Sequence, residues 1–139
     1  MKKIALSLLI VISLTLWMAT PEASAQHHPK SAADSLMITS VDSTEYEIAI
    51  IATGFDSWLI GHAKPRWYYS NEYYRTKNNY LVSKWNRRVR ETMHQEPYEY
   101  LIDYLPGIDY GLEVNYQLYW YFRYIENEYG IDLGIPATD

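Results

Sequence analysis

The chain has 139 residues, with 12 lysines and arginines against 17 aspartates and glutamates, a formal net charge of −5 and no cysteine. This length suits one small domain and excludes a dinucleotide-binding doubly wound fold, a TIM barrel and any multi-domain enzyme. The acidic balance argues against nucleic acid as a partner, because proteins that bind it present a positive surface. The absence of cysteine excludes disulfides, a thiol nucleophile and a cysteine-ligated zinc site.

Residues 1–25 have the organisation of a secretory signal peptide. Lys2 and Lys3 precede an apolar run over residues 4–19, and Ala23-Ser24-Ala25 supplies the small residues of a cleavage site. The apolar run is shorter than the roughly 20 residues that span a bilayer. We therefore predict an exported protein, periplasmic or secreted, with no membrane span after cleavage. An uncleaved anchor is the alternative.

The first elements are predicted after a polar segment. Residues 26–44 are poor in apolar side chains and are expected to be a flexible lead. A strand is predicted over residues 45–53, where a nearly continuous β-branched run indicates burial on both faces. Gly54 ends this strand, and Asp56 is placed to cap a short helical turn over residues 57–60.

A longer helix is predicted over residues 71–92. Ser70 or Asn71 can cap it, and Glu72 lies near the positive end of its dipole. With a helical repeat of about 100° per residue, one face collects the apolar side chains that we expect in the core. These are Tyr74, Leu81, Val82, Trp85 and Val89.

A second strand is predicted over residues 98–104. In this segment Tyr98, Tyr100, Ile102 and Tyr104 alternate with the set Glu99, Leu101 and Asp103, so one face should be core. A turn at residues 106–107, a Pro-Gly pair, follows the strand.

The last helix is predicted over residues 110–129, with Asp109 as its cap and Gly130 at its end. Asn115 falls within the apolar arc of this helix, so it should be a buried, hydrogen-bonded amide. Residues 131–139 are expected to be a C-terminal tail.

Together these elements predict a single small α+β domain over residues 45–130. We expect a two-stranded sheet, with its two strands side by side under the two long helices, and one short helix. The helical crossover between the strands favours parallel pairing, although the pattern leaves the pairing open.

Charge is partitioned along the chain. Residues 63–90 carry eight basic residues and one acidic residue, whereas residues 91–139 carry ten acidic residues and one basic residue. We expect the basic helix and the acidic half to face each other and partly neutralise. The alternative is a dipolar surface for an oppositely charged partner.

Several segments are distinctive in combination: Gly54-Phe55-Asp56-Ser57-Trp58-Leu59, Lys64-Pro65, Tyr68-Tyr69-Ser70, Trp85-Asn86-Arg87-Arg88-Val89-Arg90 and residues 108–116. Together they resemble a domain-of-unknown-function family of small exported bacterial proteins, over about residues 46–129. Members of that family often look like lipoproteins, with a Cys at the cleavage site, where this chain has Ala25-Gln26. The resemblance implies no activity, ligand or catalytic residue.

Acid–base chemistry has several candidate residues beside aromatic stretches or at helix ends: Asp56, Asp103, Asp109, Glu113, His62 and His94. Two suitably spaced carboxylates could act as acid and base on a glycosidic bond. However, Asp56 and Asp109 have capping positions, and no spacing matches a nucleophile, base and orienting group. We therefore predict no catalytic residue and no enzyme, with a small carboxylate-based hydrolase as an alternative.

Metal chemistry has one weak candidate at the N-terminus. Cleavage after Ala25 would leave Gln26-His27-His28, whose amine, amide nitrogens and imidazole suit square-planar Cu(II) or Ni(II). Cyclisation of Gln26 would block this site. We predict no other metal site and no cofactor.

Aromatic composition gives the strongest functional indication, since the chain has 15 Tyr and 5 Trp but 2 Phe. On the last helix Trp120 and Tyr124 lie four residues apart, with Tyr116 at the edge of their stripe and Glu113 and Gln117 beside it. Aromatic faces next to hydrogen-bonding side chains suit sugars, peptides and protein partners.

Two interpretations of this stripe are open. It is an exposed binding surface, or residues 54–68 fold over it with Trp58 and Trp67 and make it core. We expect a non-enzymatic binding or interaction module of the bacterial envelope, with an envelope protein or a glycan as ligand. The alternative is a structural subunit whose additional aromatic residues are buried in a homo-oligomer.

Overall fold

The computed structural model describes residues 34–42 and 44–136. Within them two strands, β1 (Ser35–Ser40) and β2 (Tyr46–Ile51), precede three helices, α1 (Phe55–His62), α2 (Asn71–Thr92) and α3 (Gly111–Tyr129). The prediction of a small α+β domain with a two-stranded sheet, two long helices and one short helix is confirmed.

The sheet is an antiparallel hairpin of β1 and β2, with Leu36 opposite Ile50 and Met37 opposite Ala49. β1 lies inside the segment that was predicted to be a flexible lead, so that prediction is wrong for residues 35–40. The two strands of the hairpin are consecutive in the chain, so their antiparallel pairing needs no crossover helix. The parallel arrangement that the crossover favoured is therefore wrong.

β2 has one sheltered face, and the prediction of burial on both faces is wrong. Ile48 and Ile50 are half-buried against the core, whereas Ala49 and Ile51 are exposed. Met37 on the same outer face is 65% exposed. No helix of the described chain covers this outer face, which explains why an apolar run is only half-buried.

The predicted strand over residues 98–104 is wrong as a strand, because this segment pairs with no other strand of the described chain. Its alternation nevertheless predicts burial correctly. Ile102 and Tyr104 are buried, and Leu101 and Asp103 are exposed.

Side chains of α2 take the place of a neighbouring strand along this segment. Trp85 Nε1 donates to Tyr100 O at 2.8 Å. The Asn86 amide donates to Ile102 O and accepts from Ile102 N, both at 2.8 Å. Backbone groups that a ladder would satisfy are thus satisfied by two helical side chains.

α2 begins and ends where the sequence predicts. The Ser70 side chain accepts a hydrogen bond from Tyr73 N, as a helix cap does. The predicted core face is buried in full, and its members are Tyr74, Leu81, Val82, Trp85 and Val89.

The predicted helix caps of α1 and α3 are wrong. Gly54, at a φ of 88° that favours glycine, precedes α1, so Asp56 lies in the first turn. Tyr110 holds the cap position of α3, although the Asp109 carboxylate accepts from Gly111 N at 3.1 Å.

α3 is the central element of the molecule, and α1, α2 and β2 all pack against it. Most of its middle turns are buried, although Glu113 and Asn127 of the same helix are exposed. Its buried residues are Val114, Asn115, Tyr116, Leu118, Tyr119, Trp120, Tyr121, Phe122, Tyr124 and Ile125. The prediction for Asn115 is confirmed, because its side chain bonds to the Tyr104 hydroxyl and to Asn71.

The predicted C-terminal tail packs against α3 over its described residues, 131–136. Leu133 is fully buried, and Leu133 N donates to the Glu126 carboxylate at 2.7 Å. The folded unit therefore extends beyond the predicted residues 45–130 at both ends.

Candidate functional site

The aromatic stripe predicted as a binding surface on α3 is buried. Trp120, Tyr124 and Tyr116 are 2%, 4% and 5% exposed. Trp58 of α1 covers the first two, with its ring centroid 6.3 Å from that of Trp120 and 5.7 Å from that of Tyr124. The prediction of an exposed stripe is wrong, and the alternative, coverage by the segment after β2, is correct for Trp58.

The other two predicted binding residues remain at the surface and hold a neighbouring turn. The Glu113 carboxylate accepts two hydrogen bonds from the Arg66 guanidinium and a third from Gln117. The Arg66 guanidinium also lies over the Tyr116 ring, 5.0 Å from its centroid. The Tyr116 hydroxyl donates to Lys64 O at 2.9 Å.

The contact between Arg66 and Glu113, which anchors the turn, shifts the pKa values of both groups. The hydrogen bonds from Arg66 hold the pKa of Glu113 below its usual range, and the same contact raises the pKa of Arg66. Both side chains are about half exposed, at 57% and 50%. The pair therefore fixes the position of the turn but adds little to the free energy of unfolding, because solvent screens exposed ion pairs.

The anchored segment is a tight turn over residues 65–68, named here the Trp67 turn. Tyr68 N donates to Pro65 O at 2.9 Å, which leaves Arg66 and Trp67 at its tip. Trp67 is 80% exposed. The expectation that Trp67 folds over α3 is therefore wrong, since Arg66 faces α3 and Trp67 faces solvent.

A row of lysines and tyrosines continues from this turn along α2. Lys64 lies over the Tyr68 ring, Lys77 over Tyr73 and Lys84 over Tyr80, at 5.4, 5.5 and 6.0 Å from the ring centroids. We name these six residues the lysine–tyrosine row. The spacing of four residues between the members of each pair was visible in the sequence, and sequence analysis missed it.

The lysines of this row pair with no carboxylate among residues 34–42 and 44–136. The arginines of α2 that form ion pairs do so inside their own helix, for example Arg75 with Glu72 at 2.7 Å. Arg66 with Glu113 is the described ion pair that joins the basic segment to α3, whereas Glu91, the first residue of the acidic half, pairs with Arg87 and Arg88 inside α2. The lysines of the row are therefore the basic side chains of this surface that remain available to an acidic partner.

A second candidate site is a cleft of about 360 Å³ between α1 and α3. Its lining residues are Trp58, His62, Trp120, Arg123, Glu126 and Asn127. Of the residues considered for acid–base chemistry, His62 is the one that lines this cleft, and Asp56, Asp103 and Asp109 are exposed elsewhere.

The described part of the chain contains no group of three or more His, Asp or Glu side chains that could hold a metal ion. His27 and His28, the N-terminal metal candidates, lie outside it. None of the helices in the described part is long and apolar enough to cross a membrane.

Comparison with known proteins gives a family but no function. A family described as "Family of unknown function (DUF6146)" matches residues 6–138, so the chain belongs to this family. Searches of curated proteins and of solved structures found no match. The resemblance to a domain-of-unknown-function family is thereby confirmed.

Proposed function

We propose that this member of the DUF6146 family is a non-enzymatic interaction module of the bacterial envelope. In this proposal it inserts Trp67 into an apolar socket on a partner protein, and the rim of that socket is acidic. The observation that carries the proposal is the 80% exposure of Trp67 at the tip of an anchored turn.

An exposed tryptophan at the tip of a fixed turn suits a binding role. Trp is highly buried on average, and it is enriched among the residues that dominate binding energy at interfaces. Contacts from Arg66 to Glu113 and from Tyr116 to Lys64 fix the Trp67 turn before binding. Association then orders fewer groups, which lowers its entropic cost.

Charge indicates the chemistry of the partner. Lys64 lies two residues before Arg66 in the turn, and Lys77 and Lys84 continue the positive row along α2. Because these lysines have no carboxylate partner in the described chain, acidic groups around the socket would complement them. An acidic rim also speeds association at low salt and makes it sensitive to ionic strength.

Export to the envelope is part of the proposal and is supported by the sequence. Residues 1–25 have the charged start, apolar run and small-residue site of a secretory signal. Mass spectrometry of the protein from an envelope fraction should find a chain that begins at Gln26. Recovery of the full chain in the cytoplasm alone would contradict export.

The interaction can be tested by retention of envelope proteins on the immobilised chain. We expect Trp67→Ala to abolish retention of a specific partner, and Lys77→Gln to weaken it more at low than at high salt. Ile60→Ala is the matched control, because Ile60 is 88% exposed but lies outside the Trp67 turn and the lysine–tyrosine row. A partner retained equally by Trp67→Ala and the native chain would contradict the proposal.

Folding and self-association must be measured on the same variants. Trp67→Ala should change the free energy of unfolding by no more than about 0.5 kcal/mol, as surface substitutions usually do. The mass in solution should be that of a monomer at all concentrations. If the native chain self-associates and Trp67→Ala does not, the partner is a second copy and the proposed partner protein is wrong.

A further inference from the structure

The cleft between α1 and α3 has the size of a small-molecule site. Its volume of about 360 Å³ lies at the lower end of the roughly 300–1,000 Å³ that is typical of ligand pockets. It is separate from the Trp67 turn, since it shares no lining residue with the turn or with the lysine–tyrosine row.

One wall of the cleft is aromatic and held in a fixed orientation. The rings of Trp58 and His62 are stacked, with centroids 4.6 Å apart and planes 6° apart. His62 Nδ1 lies 2.9 Å from Trp58 O. A carbonyl oxygen can only accept, so Nδ1 carries a proton, and in this tautomer Nε2 is the ring nitrogen that can accept.

The opposite wall carries two charges that compensate each other. Arg123 Nη1 lies 3.6 Å from the Glu126 carboxylate and also donates to Pro136 O at 3.1 Å. The other carboxylate oxygen of Glu126 accepts from Leu133 N. A charged ligand would therefore gain little from this pair, whereas the unused N–H groups of Arg123 can still donate.

Asn127 completes the lining with an exposed amide, which forms no hydrogen bond within residues 34–42 and 44–136. The cleft thus offers an acceptor at His62, donors at Arg123 and both functions at Asn127. Hydroxyl groups donate and accept at once, and the C–H face of a sugar ring packs against aromatic rings. Compensated charge, an aromatic wall and mixed hydrogen bonding together match an uncharged polyol ring.

We propose that this cleft binds one or two rings of a neutral saccharide. His62 and Trp58 contact the ring face, and Asn127 bonds to its hydroxyl groups. The site is independent of the Trp67 turn, so either proposal can fail without the other.

Chemical-shift titration of the ¹⁵N-labelled chain tests the proposal. The probes are maltotriose, cellotriose and chitotriose as neutral saccharides and trigalacturonate as a charged one. We expect at least one neutral probe to shift the signals of His62, Asn127 and the Trp58 indole, and to bind more tightly than trigalacturonate. Binding of trigalacturonate alone, or no shift with any neutral probe at millimolar concentration, would overturn the proposal.

Two variants and one control localise the binding. Asn127→Ala should weaken the affinity for the neutral probe by about tenfold, or about 1.4 kcal/mol. His62→Phe keeps the stacked ring but removes the acceptor, so it should weaken binding less than His62→Ala. Gln95→Ala removes an exposed amide outside the cleft and should leave affinity unchanged. Equal affinity of Asn127→Ala and the native chain, with both melting at the same temperature, would exclude the cleft as the site.

Discussion

Trp85 and Trp58 differ in what their indole N–H contacts. Trp85 Nε1 donates to Tyr100 O at 2.8 Å, and the Trp85 side chain is fully buried. Trp58 Nε1 is buried as well but has no hydrogen-bond partner among the described residues. The buried indole N–H is therefore hydrogen-bonded at Trp85 and not hydrogen-bonded at Trp58.

This difference predicts unequal effects of the same substitution. Trp85→Phe should lower the free energy of unfolding by about 1–3 kcal/mol more than Trp58→Phe does, because it leaves the Tyr100 carbonyl without its donor. Trp58→Phe removes an N–H whose burial is already unfavourable. Denaturant unfolding of both variants gives the comparison. Equal losses would show that the Trp85 hydrogen bond adds nothing beyond packing.

At the scale of elements, the Trp67 turn depends on a carboxylate of α3. Because the folded pKa of Glu113 lies below its unfolded value, the stabilisation is present above the ordinary pKa of about 4.5 and is lost as pH falls through the folded pKa. Glu113 is half exposed, so the effect on global stability is small.

A carboxyl titration followed by NMR tests this anchor. The Glu113 signal should titrate below pH 4.5 in the native chain and return towards 4.5 in Arg66→Gln. Arg75→Gln is the matched control, because Arg75 pairs with Glu72 and not with Glu113. A Glu113 pKa that is the same in the native chain and in Arg66→Gln would mean that the turn is not anchored by this pair.

The long helices and β2 were predictable, and the strand that pairs with β2 was not, for a physical reason. Ser70 and Gly130 mark helix ends by local chemistry, so α2 and α3 were placed within a residue of their observed bounds. Strand pairing depends on distant groups, and residues 98–104 find side chains of α2 instead of a strand. β1 was not predicted, because the polar composition of residues 26–44 is typical of a flexible segment.

The candidate site was predicted only in part. A helical wheel placed Trp120 and Tyr124 opposite the core, but it cannot show that α1 covers that face. Glu113 and Tyr116 were predicted to contact a ligand, whereas in the structure they hold the turn that presents Trp67. Exposure is a property of the packed molecule, and for Trp67 no local pattern reveals it.

Across the whole molecule, tyrosine hydroxyl groups connect separate elements. Tyr116 bonds to Lys64 O, Tyr124 to Thr53 O and Tyr110 to Leu105 N. The hydroxyls of Tyr100 and Tyr121 bond to each other. A Phe core would supply the packing without these links, so the excess of 15 Tyr over 2 Phe has a structural explanation. Tyrosine content is therefore weaker evidence for binding than the exposure of Trp67.

The same tyrosines predict how the protein unfolds in alkali. Burial raises the pKa of many of them, to about 12 for Tyr100, Tyr104 and Tyr124. A tyrosine of the unfolded chain ionises near pH 10, so the unfolded state loses protons first as pH rises. Stability conferred by these groups is complete below pH 10 and is lost as pH rises towards 12.

Tyrosinate absorbance and helical circular dichroism, recorded on one sample against pH, test this expectation. Ionisation of the buried tyrosines should coincide with loss of helix in a single cooperative transition above pH 10, because burial raises the pKa of their hydroxyls and so favours ionisation of the unfolded chain. The same chain in denaturant is the control and should ionise near pH 10 without any structural change. Complete tyrosine ionisation with the helix signal intact would mean that the tyrosines of α3 are not packed in the core.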